Sequence, residues 1–531
     1  MLSETIPLTS VGNYGNLVAD YLAENKVLSE FITAFPSIDA LLAQTKLKAA
    51  RPVNRSLLVK RLEEQNAGIA LSDSTRSNLQ AIAAENTFTI TTGHQLCLYT
   101  GPAYFIYKIV STIQLANQLQ QKNKDMCFVP VFWMASEDHD AEEINHAFVR
   151  EEKLQWQVKA GGAVGEFSTA GLAELNEKFI EMIGSPAGIG EWIREAYDGK
   201  NSLSKATRIL VNHLFGKYGL VVVDGDDLEL KKSFKEVIEE EMLLMTSENP
   251  VRFVTERLAQ LGYKETVHPR PINMFLLGKE SRNRWEKVGD NWVARGDHRN
   301  FSEKEVRDMI QKTPETFSPN VVLRPLYQEW ILPNIAYIGG PGEIAYWCQL
   351  KKLFDHYSVP FPILLLRDSA FVLSQKISSR LAKLGLTMDC MLTGKDHVIK
   401  ELMREHVPDL SAEKEELRTA FEKIIAKARA VDPTLTAYAS AEMQRQLSSV
   451  EGIEKKILRS AKQSEAVKLN QVDKLFDQLF PGGEWQERHA NGLALIADFG
   501  LDWMDELVAT FNPLSKELKV FTSGIPGTSA E

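Results

Sequence analysis

The chain has 531 residues, of which 44% are apolar and 25% charged, and its formal net charge is -10 at pH 7. This length predicts more than one domain, and the negative charge argues against general nucleic-acid binding. Four widely spaced cysteines and the absence of an apolar run near the roughly 20 residues that span a bilayer argue against a disulfide framework and a membrane helix, so we expect a cytoplasmic protein without nucleic-acid or membrane partners.

The first ordered pattern is helical, with apolar positions spaced by three and four through residues 15–85. After it, TFTITTG (87–93) and FVPVFWMAS (128–136) are short apolar strands on either side of a helical run. The same order returns in NIAYIGG, EIAYWCQLKKLFDHY and FPILLLRD, between residues 334 and 368. Two such strand–helix–strand units predict an α/β fold with a Rossmann-like, doubly wound parallel sheet.

The domain prediction follows from these changes of pattern along the chain. Its segments are an N-terminal helical segment (1–85), a first half of the Rossmann-like core (86–150), an inserted connecting region (151–320), a second half of the core (321–394), an α-helical, antiparallel coiled-coil hairpin (395–480) and a C-terminal segment (481–531). The apolar seam of the hairpin is predicted at Leu410, Leu417, Phe421, Ile424 and Ala428 in one helix and at Leu447, Val450, Ile457 and Ala461 in the next. The same spacing also fits a plain helical bundle.

The first candidate site is TTGHQLCLYTGP (91–102), which leaves the first strand. Glycines let the backbone approach a ligand, and the start of the following helix attracts anions. Ligands of open parallel sheets bind at the carboxyl ends of the strands. The predicted substrate- or nucleotide-binding residues here are Thr92, Gly93, His94, Gln95, Gly101, Tyr107 and Lys108. The alternative is an ordinary loop with a solvated histidine.

The second candidate site is SEDHDAEE (136–143), at the end of the neighbouring strand. Asp138, His139 and Asp140 are the predicted catalytic residues, and Glu137 is a predicted binding residue. Carboxylates suit recognition of a substrate amine or hydroxyl. A metal site using His139 and His146 is the less favoured alternative, and we expect no metal. A solvated helix start is the structural alternative.

The third candidate site is RPLYQEWILPNIAYIGGPGEIAYWCQ (324–349), within which GPGEIA (340–345) follows a strand and opens a helix. Its predicted binding residues are Gly339, Gly340, Gly342, Glu343 and Gln349. GPGEIA followed by Asp368 also matches a dinucleotide fingerprint, so an NAD(P)-dependent oxidoreductase is an alternative function. A non-catalytic coiled-coil scaffold is another. No G-x-x-x-x-G-K-[ST] motif is present, which excludes a P-loop ATPase.

Four long segments together resemble one known family. They are TTGHQLCLYTGPAYFIYK, VPVFWMASEDHDAEEINH, SPNVVLRPLYQEWILPNIAYIGGPGEIAYWCQLK and WQERHAN. The chain resembles, over essentially its whole length, the bacillithiol biosynthesis cysteine-adding enzymes of the BshC family. GGPGEIAYWCQ is more distantly similar to the Glu-Ile-Ala-Gln segment of class I cysteinyl-tRNA synthetases.

The family resemblance implies a fold, a reaction and partners. The fold is a Rossmann-like core with a coiled-coil domain that promotes a homodimer. The reaction is that of a cysteine ligase, which forms an amide bond between the carboxyl of L-cysteine and the amine of glucosaminyl malate. The resemblance also implies an adenine nucleotide, ATP or ADP, with ADP bound near the coiled coil in relatives. These remain expectations of the resemblance, because spacing alone does not give them.

Overall fold

The computed structural model describes residues 1–12, 14–150, 152–159, 161–184, 188–297, 299–404 and 408–522. Most of the C-terminal stretch TSGIPGTSAE, for which the sequence predicts disorder, lies outside the described residues. The chain divides into two compact units, of which the first comprises Met1–Val372 with Gln486–Glu531 and the second Leu373–Trp485.

The first unit is organised around a parallel sheet of five strands. In chain order along the whole unit the strands are β1 (Leu2–Pro7), β2 (Thr87–His94), β3 (Cys127–Met134), β4 (His146–Val149), β5 (Glu152–Gln155), β6 (Val221–Asp224), β7 (Met274–Gly278), β8 (Ser281–Val288), β9 (Asn291–Ala294), β10 (Asn300–Phe301), β11 (Phe317–Pro319), β12 (Asn334–Gly339), β13 (Ile363–Leu366), β14 (Ser369–Leu373) and β15 (Glu517–Thr522). The parallel sheet has the order β13-β12-β2-β3-β6. The four runs predicted as parallel strands of one sheet are therefore confirmed. Strand β6, from the region predicted as an insertion, adds a fifth, and its buried valines are typical of a parallel strand.

Helices connect these strands and pack around them. They are α1 (Asn16–Leu22), α2 (Ile38–Ala49), α3 (Arg55–Gln65), α4 (Asp73–Ala81), α5 (Tyr104–Lys122), α6 (Ala141–Ile144), α7 (Ala173–Ile183), α8 (Ile189–Ala196), α9 (Leu203–Phe215), α10 (Leu228–Ser233), α11 (Lys235–Leu244), α12 (Glu248–Gln260), α13 (Glu303–Lys312), α14 (Arg324–Ile331), α15 (Pro341–Cys348) and α16 (Lys351–His356). Helix α5 leads from β2 to β3, whereas α15 and α16 lead from β12 to β13 on the other side of the sheet. The strand order therefore reverses between β2 and β12, and such a switch point leaves a crevice at the carboxyl ends of the two strands.

Two further sheets, one of five strands and antiparallel and one of three strands, and a hairpin complete the first unit. The first sheet has the order β10-β9-β8-β7-β11, and the hairpin pairs β4 with β5. The other sheet joins β1, β15 and β14, with β1 antiparallel to β15, so the two ends of the described chain are paired.

The second unit is helical. Its helices are α17 (Gln375–Leu384), α18 (Met388–Leu392), α19 (Lys395–Met403), α20 (Ser411–Val431), α21 (Leu435–Ser464) and α22 (Ala466–Leu479), and α23 (Gln486–His489), α24 (Gly492–Phe499) and α25 (Asp502–Thr510) return to the first unit. Helices α20 and α21 pack together as the predicted hairpin, with an ion pair between Lys414 and Glu454 at 2.6 Å. The predicted seam is wrong at Ile424, which is 51% exposed, whereas Ile425 is half-buried. The seam advances by four residues after Phe421, not by three.

Candidate functional site

A cavity of about 790 Å³ lies at the switch point of the parallel sheet. Its wall includes residues 93–95 at the end of β2, residues 133–135, 137 and 138 at and after the end of β3, and residues 337 and 340–343 around the end of β12. This is where the sheet topology places a ligand. The three sequence motifs predicted as sites are thus brought together around one cavity.

The floor of the cavity contains a buried lysine and a carboxylate that neutralise each other. Lys108 Nζ forms an ion pair with the Glu343 carboxylate and donates a hydrogen bond to Gly93 O at 2.9 Å. Glu343 Oε1 accepts a hydrogen bond from the Tyr337 hydroxyl at 2.6 Å, and Oε2 accepts one from Gly340 N at 2.8 Å. Burial lowers the pKa of Lys108, and the Glu343 charge opposes that effect. The pair fixes the strand ends of β2 and β12 together.

This arrangement bears on the dinucleotide fingerprint GPGEIA. In dinucleotide-binding folds the pyrophosphate lies at the start of the helix. Here the Glu343 carboxylate accepts the Gly340 N–H at the start of α15 and fills that position. Asp368 is buried and accepts hydrogen bonds from Ser111 Oγ and Asn512 N, both at 2.9 Å, so its carboxylate is engaged within the fold. Burial raises the pKa of Asp368 to about 6. The geometry argues against the oxidoreductase alternative.

Residues 137–143, which we call the acidic rim, lie beside this floor, and Gln95 connects the loop after β2 with the loop after β3. Gln95 Nε2 donates to Asp138 Oδ2 at 2.8 Å and also to the Glu143 carboxylate. Burial alone would raise the pKa of Asp138, but hydrogen bonds from His139 and Gln95 and the charge of Arg282 hold it below the usual value of a carboxyl. Asp138 is therefore an ionised acceptor on the cavity wall.

The other residues of the rim have different surroundings. Glu137 lines the cavity and forms an ion pair with the buried Lys231 at 2.6 Å, and burial raises the pKa of Glu137. His139 Nδ1 accepts a hydrogen bond from Arg282 at 3.1 Å, and the ring is outside the cavity lining. Asp140 caps α6 by accepting hydrogen bonds from two backbone N–H groups and is also outside the lining. The geometry gives Asp140 the role of a helix cap.

His94 lies on the cavity wall in a buried, neutral form. Its Nδ1 lies 2.8 Å from the carbonyl oxygen of Gln95, which can only accept, so Nδ1 carries the proton. Burial and the nearby Lys108 charge lower the pKa of His94 to about 3. In this tautomer Nε2 is an acceptor. The imidazole is therefore suited to accept a hydrogen bond from a ligand, whereas donation to a phosphate would need the other tautomer.

Sequence reasoning missed the strongest electrostatic feature of the cavity, which is its cationic wall. Six arginines and one lysine line the cavity against three carboxylates: Arg270, Arg282, Arg284, Arg324, Arg367, Arg488 and Lys108 against Glu137, Asp138 and Glu343. The signals in the sequence were Arg282 and Arg284 at alternate positions of one strand, Arg367 at the end of another, and Arg324 and Arg488 within two of the segments that carry the family resemblance. A cavity with this excess of cations fits a ligand that carries several negative charges.

Arg282 and Arg284 reach the cavity from β8. Arg282 donates to Ser318 Oγ and to Pro319 O, both at 3.0 Å, and its guanidinium lies 4.1 Å from the centre of the Phe275 ring. Arg284 pairs in register with Phe275 and lies on the same face of β8, two residues along. Since side chains alternate across a strand, both arginines face the cavity.

Arg367 and Arg488 lie beside the ring of Tyr104, with their guanidinium carbons 5.2 Å and 5.7 Å from its centre. Arg367 forms a buried ion pair with Glu487 at 2.6 Å. Glu487 also accepts a hydrogen bond from Ala370 N at 3.1 Å, so it anchors the short helix α23 to β14. This anchor brings Arg488, the next residue of α23, to the cavity.

Five of the predicted binding residues do not line the cavity and instead hold parts of the fold in place. Thr92 Oγ1 donates to Ile338 O at 2.8 Å and joins β2 to β12. Gly101 has a φ of +65°, and a Cβ there would lie 2.5 Å from Cys97 Cβ. Tyr107 is buried against Phe511.

The remaining two of these residues hold backbone in place. Gly339 accepts the backbone N–H of Arg367 at 2.9 Å and so supports the end of β13. Gln349 Oε1 accepts Val267 N at 3.0 Å, and its Nε2 donates to Val267 O at 3.0 Å. This contact fixes the segment that carries His268 and Arg270 to the cavity. By contrast, Gly340 and Gly342 do line the cavity.

The described residues contain neither a metal-binding cluster nor a membrane-spanning helix. Among them, no group of three or more His, Cys, Asp or Glu side chains is arranged to hold a metal ion. Within the same residues, no helix combines the length and apolarity that crossing a bilayer requires. The expected lack of a metal stays a prediction.

Comparisons with known proteins give a consistent result. The family described as bacillithiol biosynthesis BshC, N-terminal Rossmann-like domain, matches residues 1–368, and the C-terminal coiled-coil domain of BshC matches residues 370–523. A relative from Cytophaga hutchinsonii, named as cysteine ligase BshC, is 38% identical over 93% of this chain and 94% of its own length. A relative of the same name from Flavobacterium psychrophilum is 37% identical over 98% of this chain and 99% of its own.

More distant matches exist. A cysteine ligase BshC from Bacillus cereus is 28% identical over 94% of this chain and 96% of its own length. A solved structure titled as an arginyl-tRNA synthetase from Campylobacter jejuni covers 82% of this chain and 98% of its own at 10% identity, with a TM-score of 0.22. A likeness at that score carries no argument about fold or function.

Proposed function

Because the chain belongs to the BshC family of bacillithiol biosynthesis, we propose that it is a cysteine ligase that joins the carboxyl of L-cysteine to the amine of glucosaminyl malate. The observation that carries the proposal is the cationic wall of the switch-point cavity. The malate part of the sugar substrate has two carboxylates, and arginine forks bind carboxylates in two-point hydrogen bonds. The cavity volume of about 790 Å³ is of the size that holds a ligand of this kind.

Asp138 is the group we assign to the substrate amine. It is ionised and lies on the wall of the same cavity as the arginines. A carboxylate in this position holds an ammonium or amine by a charge-assisted hydrogen bond and orients it toward the carboxyl that it attacks. Because its pKa is low, Asp138 is a poor proton acceptor, so its role in this proposal is orientation.

Condensation of a carboxyl with an amine forms the amide and releases the elements of water, which requires an activated carboxyl. We propose ATP as the source of activation. The arginines of the cavity fit phosphate groups chemically, whereas the start of α15 does not, because the Glu343 carboxylate lies there and accepts the Gly340 N–H. When bound, the nucleotide supplies a leaving group on the carboxyl, and the protein residues bind and orient the two substrates.

Two further expectations belong to this proposal. We propose a cytoplasmic enzyme, because its substrates are small polar metabolites. We also propose a homodimer through the coiled-coil hairpin. Helices α20 and α21 expose large apolar side chains, among them Ile424 and Ile453, at 51% and 52% exposure. Such side chains are costly to leave in water.

The direct test is amide formation by the purified full-length protein with L-cysteine, glucosaminyl malate and ATP. Mass spectrometry is expected to find a product with the mass of the two substrates minus one water. Omission of either substrate should abolish it. A scaffold without activity predicts no product, and an oxidoreductase predicts instead a change in NADH absorbance, so each alternative has its own readout.

A further inference from the structure

A second, smaller cavity adjoins the first. Its volume is about 280 Å³, and it shares three wall residues with the switch-point cavity, namely Gln95, Tyr104 and Arg488. The segment from Cys97 to Pro102 and the residues around β4 contribute the rest of its wall, together with α23. We call it the side pocket. Because the two cavities have common walls, ligands bound in both would lie next to each other.

The side pocket differs from the main cavity in its charge. Its wall has one carboxylate, Glu143, and one guanidinium, Arg488. Glu143 accepts a hydrogen bond from Gln95 on the shared wall. Arg488 lies beside the ring of Tyr104, also on the shared wall. One negative and one positive group therefore border a space that opens toward the site of the reaction.

The remaining wall consists of a thiol, two imidazoles and apolar groups. Burial raises the pKa of the Cys97 thiol to about 12, so that side chain is neutral. Burial also lowers the pKa of His146, whose Nδ1 donates to Glu142 O at 3.0 Å. Pro102, Ala147 and the Phe148 ring, on which the His489 imidazole stacks with 4.0 Å between ring centres, also line the pocket. The partly apolar portion of this wall suits a small side chain such as a thiol.

We propose that the side pocket is the subsite for the amino acid, with Glu143 binding its ammonium group and Arg488 its carboxylate. This inference rests on the proposed function and names where the second substrate binds. A zwitterion carries one charge of each sign on neighbouring atoms, which is the charge pattern of the pocket wall. The main cavity, with its excess of cations, instead suits the sugar-malate dianion. The carboxylate of the amino acid would then lie at the shared wall, facing the amine that attacks it.

The test compares L-cysteine with two thiols, each of which lacks one of its two charged groups. L-Cysteine has both charges, cysteamine lacks the carboxylate, and 3-mercaptopropionate lacks the amine. Binding of each to the full-length protein is measured by calorimetry, for the wild type, Glu143→Gln and Arg488→Gln. Glu142→Gln is the matched control, because Glu142 is exposed and outside the lining of the side pocket.

The expected result is a crossed pattern. Glu143→Gln should weaken binding of L-cysteine and cysteamine by about tenfold or more, and leave 3-mercaptopropionate unchanged, because only an amine loses its charged partner. Arg488→Gln should weaken L-cysteine and 3-mercaptopropionate and leave cysteamine unchanged. Glu142→Gln should bind all three thiols as the wild type does. Glutamine keeps an acceptor for Gln95, so the melting temperature of Glu143→Gln should stay close to that of the wild type.

Other outcomes would overturn the inference. Wild-type L-cysteine affinity in Glu143→Gln, an equal loss for all three thiols in one variant, or no cysteine binding by the wild type each contradicts the assignment of the side pocket. Failure of the proposed function looks different, because it would leave the crossed binding pattern intact while the complete reaction mixture yields no amide.

Discussion

The side-chain amide of Gln95 donates a hydrogen bond to Asp138 Oδ2 at 2.8 Å and so joins the loop after β2 to the loop after β3. The same amide contacts the Glu143 carboxylate. One residue thus connects the acid that faces the main cavity with the acid that faces the side pocket. The position of both carboxylates depends on this neutral amide, which adds no charge of its own.

Substitution of Asp138 by asparagine should abolish most amide formation with little change in folding. Asparagine is nearly isosteric and can still accept from Gln95, but it loses the negative charge that holds an amine. The expected loss in kcat/KM is about tenfold or more, since charge-assisted hydrogen bonds contribute roughly 1.5 to 3 kcal/mol. Steady-state kinetics measure the loss in kcat/KM, and a thermal melt shows whether folding has changed. Normal turnover in Asp138→Asn would remove this residue from the site.

Substitution of Asp140 by alanine should lower the stability of the protein and leave amide formation intact. Its carboxylate caps α6 through hydrogen bonds from Glu142 N at 3.1 Å and Glu143 N at 3.3 Å. Loss of a cap costs about 1 kcal/mol, so a lower midpoint of unfolding by urea is expected while kcat is retained. Substitution by serine, another good cap, should restore the stability. Loss of kcat in both variants, with unchanged stability, would show that Asp140 is catalytic after all.

Substitution of Arg282 by lysine should raise KM for glucosaminyl malate more than it changes kcat. The lysine keeps the charge but loses the planar fork that binds a carboxylate at two points. Arg295→Lys is the control, because Arg295 follows β9 of the same sheet and is 72% exposed. An increase of about tenfold in KM is expected for Arg282→Lys alone. Equal KM values in the two variants would contradict a role for Arg282 in binding the anion.

The stability of the protein should fall on acidification through His94. The pKa of His94 is lowered to about 3 in the folded chain, whereas an unfolded histidine titrates near about 6.5. Below that value the unfolded chain takes up a proton that the folded chain excludes, so acid favours unfolding until the pH reaches the folded pKa. His94→Gln lacks this group. Its melting temperature should therefore drop less than that of the wild type between about pH 7.5 and about pH 5.5, and an equal drop would contradict a buried neutral imidazole.

The proposed dimer can be tested on the exposed apolar side chains of the hairpin. A double variant, Ile424→Glu and Ile453→Glu, should sediment as a monomer with unchanged helix content, because both side chains are about half exposed. Thr419→Glu, an exposed position without an apolar side chain, is the control and should remain a dimer. A double variant that still sediments as a dimer would place the contact elsewhere.

Much of the fold could be predicted from the sequence, because each buried parallel strand has a local sequence pattern of its own. The runs at β2, β3, β12 and β13 are short, apolar and each next to a helix, and all four lie in one sheet. The position of Ile424 could not be predicted in the same way. The seam of a two-helix hairpin can advance by three or four residues at each step, and only the packing against the second helix decides which.

The candidate site was predicted in part. Gly93, His94, Lys108 and Asp138 were predicted because they lie at or after the ends of neighbouring strands, and all four line the cavity. The arginines were missed, since they come from segments as distant as Arg282 and Arg488, and their convergence depends on tertiary packing. Tyr107 and Gln349 were predicted to bind ligand but are buried away from the cavity. Their proximity to a motif in sequence did not give the direction of their side chains.

The most direct test of the central claim is the structure of the full-length protein with glucosaminyl malate bound. We expect the malate carboxylates within hydrogen-bonding distance of the cavity arginines, Arg282 among them, and the sugar amine facing Asp138. Binding in solution with the sugar-malate located at any other place on the protein would contradict it.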